Sequence, residues 1–222
     1  MVRGGRTPSP KPILVGEDVI LGAEMEQSWL VIGLGNPGEK YAGTRHNAGH
    51  LAIDHLAQAQ GEQLLRHKTG CQVATLHLGI PGTPGPAVHL AKLDSYMNTS
   101  GIPTAKLVKF FGIDPAQNLL IVHDELDLAA YDLRLKRGGG EGGHNGLRSI
   151  SANLGTKDYA RLRIGIGRPH PRQDPADYVL SRFPRGEQGA LKDALERAGQ
   201  AITEVVTQGF VRAQQRLNSQ AI

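Results

Sequence analysis

A chain of 222 residues, 39% of them hydrophobic, has apolar material for one large domain or two small ones and belongs to the globular class. Aromatics at 5% argue against base stacking as the main activity, and 25 Lys+Arg against 21 Asp+Glu permits a polyanionic partner without requiring one. The single cysteine, Cys71, excludes an internal disulfide and fits a reducing cytosol, and no apolar run reaches the ~20 residues of a membrane span.

Residues 1–28 are rich in Pro and Gly, lack the apolar stretch of a secretory signal, and read as a flexible N-terminal extension to a catalytic domain over 29–222. Met25 stands just before the first strand, so translation starting there is an open possibility. Residues 29–32 form a short apolar run closed by Gly-Leu-Gly-Asn-Pro-Gly, the pattern of a buried strand ending in a turn. Thr44 is the expected cap of a helix over 46–60, with Leu51, Ala52, His55 and Leu56 near helical spacing. Strands are expected at 72–78, where Cys71 reads as a buried and inert thiol, and at 87–93. Asn98, Thr99 and Ser100 offer caps for a helix to Phe111, stopped by Gly112. NLLIVH, 118–123, is the clearest buried strand and runs into Asp124-Glu125. A strand over 131–136, the glycine run, a helix over 147–154 and a strand over 160–166 follow. One long helix over 187–216 puts Leu191, Leu195, Ala198, Ile202 and Val205 on one face. No internal repeat or mid-chain linker is visible. Alternating strands and helices predict a single α/β domain, a mixed twisted sheet flanked by helices on both faces.

In such sheets, sites gather outside the carboxyl ends of the strands, and Asn36, Asn98, Asp124 and Asn145 are all expected there. Each has an ordinary explanation as a turn residue. Together they offer neutral amides suited to a peptide backbone or a developing oxyanion. GLGNPG, 33–38, matches G-x-G-x-x-G, but EKYAGT follows it instead of an apolar-periodic helix, and Asp54 falls in a helical pattern, so a dinucleotide site is not expected. His46, His50 and Asp54 repeat at four-residue spacing like a metal stripe. Asn47 nevertheless stands where a zincin needs its glutamate, and HDELD, 123–127, has no recognised ligand spacing. His46 near a helix N-terminus would be kept neutral and able to accept a proton, with Asp124 the natural carboxylate to fix its tautomer. A capping His and a surface Asp explain the same residues equally well. No serine sits in a G-x-S-x-G elbow, so hydrolysis would use activated water. RGGGEGGHNGL, 137–147, is either a linker or a backbone forced where side chains would obstruct.

Taken together, GLGNPGEKYAGTRHNAG (33–49), MNTSG (97–101), HDELDL (123–128), KRGGGEGGHNGLRSI (136–150), RLRIGIGRP (161–169) and YVLSRF (178–183) resemble bacterial peptidyl-tRNA hydrolases, in the family's order and over nearly everything beyond residue 28. The resemblance implies a cytoplasmic, monomeric α/β enzyme that uses no metal or cofactor and cleaves the ester joining peptide to tRNA. It implies His46 as general base and Asp124 as its orienting carboxylate. Asn36, Asn98 and Asn145 are implied to position peptide, water and oxyanion, Tyr41 and Met97 to line the cleft near the tRNA 3′ end, and Lys136 and Arg163 to clamp the 5′-phosphate of the acceptor stem. The glycine run then becomes a loop close to substrate that delivers His144 and Asn145 to the cleft. Departures are Leu93, Asp94 and Ser95, where the family often has Pro and Thr, and Glu141, an anion near the tRNA face that would weaken phosphate contact. Two rivals stand beside this reading. A non-catalytic RNA-binding protein of the same fold would usually lack one member of the His46–Asp124 pair, and a metallohydrolase built on His46 and His50 would be sensitive to chelator.

Overall fold

The structure, a computed structural model, describes residues 28–79 and 85–219. The extension and Met25 therefore lie outside the described residues, Ser28 excepted. The apolar run becomes β1 (Trp29–Gly33), buried along its whole length. It pairs in parallel with β4 (Ala87–Leu93) on one side and β5 (Leu119–Glu125) on the other. β7 (Ala160–Gly165) extends the parallel set beside β5. Antiparallel strands close both edges: β3 (Cys71–His77) and the two-residue β2 (Leu65–Arg66) beyond β4, and β6 (Leu133–Arg137) beyond β7. The sheet order is β2-β3-β4-β1-β5-β7-β6.

The period-2 geometry of a strand sends successive side chains to opposite faces; in the central strands both sets are apolar, so each face has its own core. Leu120, Val122, Leu162 and Ile164 pack on the side covered by α1 (Ala48–Ala59), α6 (Gln188–Gln208) and α7 (Phe210–Ser219). Leu30, Ile32, Leu119 and Ile121 pack on the side of α2 (Gly101–Phe111) and α4 (Asn145–Leu154). The expected single α/β domain with helices on both faces is the observed architecture. Cys71 is buried, with burial raising its thiol pKa, as an inert thiol requires.

Several boundaries differ from expectation for local reasons. Thr44 caps no helix: its hydroxyl donates to Tyr41 O, a 3-10 turn holds Arg45–Asn47, and α1 starts at Ala48. The buried stripe of α1 includes His50, Ile53 and Ala57, while Leu51 and His55 are only half-buried. Close approach explains this orientation. A β-carbon on Gly33 would sit 2.3 Å from Gly49 O, so this glycine pair lets α1 seat its backbone against β1. Gly33 thus serves helix packing, which also accounts for the false dinucleotide signature. Asn98, Thr99 and Ser100 donate no cap either; Met97–Thr99 is a 3-10 turn, Ser100 Oγ donates to Met97 O, and α2 ends at left-handed Gly112 as expected. Tyr131 stands at φ 71°, outside strand geometry, so β6 starts at Leu133. The long C-terminal helix is two, because Gly209 at φ 85°, ψ 152° leaves helical space between α6 and α7. Two short helices were not foreseen: α3 (Pro115–Asn118) and α5 (Pro175–Val179), each opened by an Asp whose carboxylate accepts a backbone N–H.

Candidate active site

The carboxyl ends of β1, β4 and β5 open into a cleft of about 690 Å³. Asn36 follows β1, Met97 and Asn98 follow β4, and Asp124 ends β5. Each therefore reaches the cleft from a strand end. His144 and Asn145 arrive by another route. β6 is antiparallel, so Arg137 lies at the opposite end of the sheet, paired with Ala160. The glycine run must climb to the level of Asp124, which pairs with Ile164, a height of about 13 Å. Arg161, itself buried, holds the climb by donating to Gly140 O at 2.7 Å and Gly139 O at 2.9 Å. Gly138, Gly139, Gly142 and Gly143 all have φ between 56° and 86°, a region closed to most side chains. The glycine run is an anchored crossing of the sheet face.

At its top, three side chains meet. His46 Nδ1 lies 2.9 Å from Asp124 Oδ2 and 3.0 Å from Oδ1, and His144 Nε2 lies 3.0 Å from Oδ1. Burial pushes the Asp124 carboxyl pKa up, but the charges and hydrogen bonds of the two imidazoles outweigh it and hold the group well below the ordinary carboxylate range. An ionised carboxylate only accepts, so both histidines donate to it. That assigns the protons. His46 carries hydrogen on Nδ1 and keeps the Nε2 lone pair for the cleft. His144 carries hydrogen on Nε2, and its Nδ1 accepts from the amides of Gly146 (3.1 Å) and Leu147 (3.4 Å) at the start of α4. Burial lowers the affinity of His46 for a proton; the neighbouring Asp124 charge and hydrogen bond raise it more, leaving its pKa above the ordinary value.

His46, Asp124 and His144 are the one set of three ligating groups within 4.8 Å among the described residues. The donor set fits a metal poorly, because His144 holds its proton on the nitrogen facing Asp124 and spends its lone pair on α4. The His46, His50 and Asp54 repeat is put to other uses. His50 is buried under Gly35 with burial pushing its pKa down to about 3, and Asp54 pairs with Lys92 at 2.7 Å.

The amides are held to different degrees. Asn47 grips Asn36 from both sides, Oδ1 accepting from Asn36 N at 2.9 Å and Nδ2 donating to Asn36 O at 3.0 Å. Asn36 Oδ1 in turn accepts from Met97 N at 2.8 Å, which leaves its Nδ2 for the cleft. Asn145 Oδ1 accepts from Arg148 at 3.3 Å, and Asn98 is exposed on its 3-10 turn. Tyr41 stands edge-on to Tyr96 at 6.5 Å between ring centroids, and it is Tyr96 that lines the cleft. Lys136 and Arg163 lie outside the cleft, on the sheet face that also carries Arg134 and Arg161. Arg163 Nε donates to Glu125 at 2.9 Å, and among the described residues no hydrogen bond engages its terminal nitrogens. Glu141 is not a free anion, because Lys157 pairs with it at 3.1 Å.

Two features were missed in the sequence. His144 is visible in GHNG but has no role of its own there, since its partner lies on a strand distant in sequence. The apolar wall of Pro175, Ala176 and Val179, continued by Leu180, is built on a helix too short for periodicity to reveal.

Residues 30–222 match the family described as "Peptidyl-tRNA hydrolase". A peptidyl-tRNA hydrolase of Kineococcus radiotolerans is 52% identical over 199 residues, covering 89% of this chain and 100% of that protein. One from Nocardia farcinica is 50% identical over 190 residues, covering 85% and 95%. The fold superposes on a crystal structure of peptidyl-tRNA hydrolase from Acinetobacter baumannii with TM-score 0.77 at 38% identity, covering 89% of this chain and 98% of that one.

Proposed function

The chain belongs to the peptidyl-tRNA hydrolase family and hydrolyses peptidyl-tRNA; we propose that it does so through a water activated by His46. Neutral His46 takes a proton from that water through Nε2, the water attacks the ester carbonyl, and the tRNA 3′-oxygen leaves with the proton His46 returns. Asp124 fixes the tautomer and stabilises the imidazolium that forms. Asn36 is the donor best suited to the oxyanion, because its amide is fixed before substrate arrives and pays no reorganisation in the transition state. Asn98 and Asn145, less constrained, hold the peptide and the water. Met97 and Tyr96 flank the tRNA 3′ end, with Tyr41 supporting Tyr96 from behind. Lys136 and Arg163 take the phosphate of the acceptor stem as point charge and fork. Residues 29–222 are the catalytic unit, acting as a monomer in the cytoplasm without metal or cofactor. Among the described residues no helix is long and apolar enough to cross a membrane.

One observation carries this reading: a carboxylate that can only accept leaves the second nitrogen of His46 as a base at the mouth of the cleft. The test is release of tRNA from N-acetyl-aminoacyl-tRNA, with and without chelator. His46→Ala should lower the rate roughly 10²–10⁴-fold while tRNA binding survives, and chelator should have no effect. Wild-type hydrolysis by the variant would refute the base, and loss of activity in chelator would refute the metal-free mechanism.

A further inference from the structure

His46 sits on a three-residue 3-10 turn, too short to hold itself by its own backbone hydrogen bonds, so its flanks must fix its reach. On the C-terminal side Asn47 is locked to Asn36. On the N-terminal side the work falls to Arg45. Its amide donates to Ser181 O at 3.0 Å, and its guanidinium donates to Ser181 Oγ at 2.6 Å and Arg182 O at 2.7 Å. The same group lies over the Tyr178 ring at 4.4 Å and near the Phe183 ring at 5.7 Å. Among the described residues no carboxylate pairs with it, so its role is read in geometry rather than in charge neutralisation. The segment it grips is the continuation of the apolar wall, since Val179 and Leu180 line the cleft immediately before Ser181. That segment is tied to the sheet in turn, with Tyr178 OH donating to Ile166 O at 2.6 Å.

We propose that Arg45 is a positioning residue for the hydrolysis, setting the distance between His46 and an acyl group resting against the Val179–Leu180 wall. The inference rests on His46 being the base. A planar guanidinium whose Nη1 meets a hydroxyl and a carbonyl while its face lies over a ring is something lysine cannot reproduce in full. Displacing a catalytic group by about 1 Å costs roughly 10²-fold.

The experiment compares Arg45→Ala, Arg45→Lys, Ser181→Ala and His46→Ala on N-acetyl-aminoacyl-tRNA, reading kcat, KM and the pH dependence of kcat. Arg45→Ala should lose roughly 10²-fold in kcat with KM within about twofold. Its acid limb should move to lower pH as the contact between His46 and Asp124 loosens. Arg45→Lys should recover part of the loss, and Ser181→Ala should lose roughly threefold or more. If His46→Ala is inactive while the folded Arg45 and Ser181 variants keep wild-type kcat and acid limb, this inference fails alone. If His46→Ala is active, the base assignment fails first. Should Arg45→Ala not fold, Ser181→Ala decides: an unchanged kcat and pH profile overturns the proposal.

Discussion

His144 donates to Asp124 Oδ1 at 3.0 Å, so the carboxylate that orients His46 is shared with a second imidazole. The second donor draws charge from Asp124 and thereby moderates how strongly His46 holds its own proton. Because the base acts in its neutral form and its pKa lies above the ordinary value, activity is lost as pH falls through that raised value. His144→Ala should strengthen the hold of Asp124 on His46, move the acid limb of kcat/KM upward, and lower the rate below that limb while leaving the plateau at higher pH. Loss of the cap at the start of α4 should also cost about 1 kcal/mol of stability. A pH–rate profile with a thermal melt measures both.

Burial pushes His50 and His123 down to about 3, so both stay neutral in the fold at pH values where the unfolded chain protonates them. The unfolded state therefore binds more protons between about 6.5 and 3, and the stability these residues give above pH 6.5 is lost as pH falls. His46, with its pKa raised, works in the opposite sense: its contribution is full below about 6.5 and lost as pH rises through the folded value. Below pH 6.5 the His46 contribution no longer changes, so His50, His123 and the half-buried His89, pushed down to about 4, predict a melting temperature that declines on acidification from pH 6.5. Among the described residues the buried His50 Nε2 has no partner, and His50→Phe should flatten part of that decline. An unchanged pH slope in the variant's thermal melts would contradict the account of His50.

Gly142 stands at φ 56° with open space where a β-carbon would go, so its constraint is backbone conformation alone. Gly142→Val should cost about 1–2 kcal/mol of stability. Its effect on turnover should be larger, on the order of tenfold or more, because the crossing delivers His144 and Asn145. Unchanged kinetics in a destabilised variant would mean that the crossing is only structural.

Lys136 is exposed at the edge of the sheet, and its ammonium reaches Gly139 near the foot of the crossing. Lys136→Ala should raise KM for tRNA substrates, leave kcat near wild type, and lower the slope of log affinity against log salt by about one. Arg163 is the poorer test, since its removal also frees the Glu125 carboxylate at the cleft. An unaltered salt slope in Lys136→Ala would remove it from the phosphate site.

Much of this was legible in the sequence because strand signals are local. NLLIVH is apolar from end to end, and a strand that stops at Asp124-Glu125 puts a carboxylate at the rim of the sheet wherever its neighbours lie. Asn36, Asn98 and Asn145 could be gathered on the same argument, although Asn145 reaches the rim by the glycine crossing and not from a strand end. What stayed hidden depends on partners far away in the chain. The seating of α1 requires Gly33 against Gly49, the second donor to Asp124 comes from the end of a glycine run, and the brace on Arg45 comes from residues 136 and 137 positions further on. Helix α5, of five residues, has no period to detect, so the apolar wall appeared only with the fold.

The most direct measurement is turnover of N-acetyl-aminoacyl-tRNA by Asp124→Asn, alongside its tRNA affinity. An amide can still accept from His144 through its oxygen, but then presents N–H to His46 Nδ1 and moves the imidazole proton to the wrong nitrogen. The account predicts a fall of roughly 10³–10⁴-fold in kcat with tRNA affinity unchanged. Wild-type turnover by that variant, folded and binding tRNA normally, would contradict it.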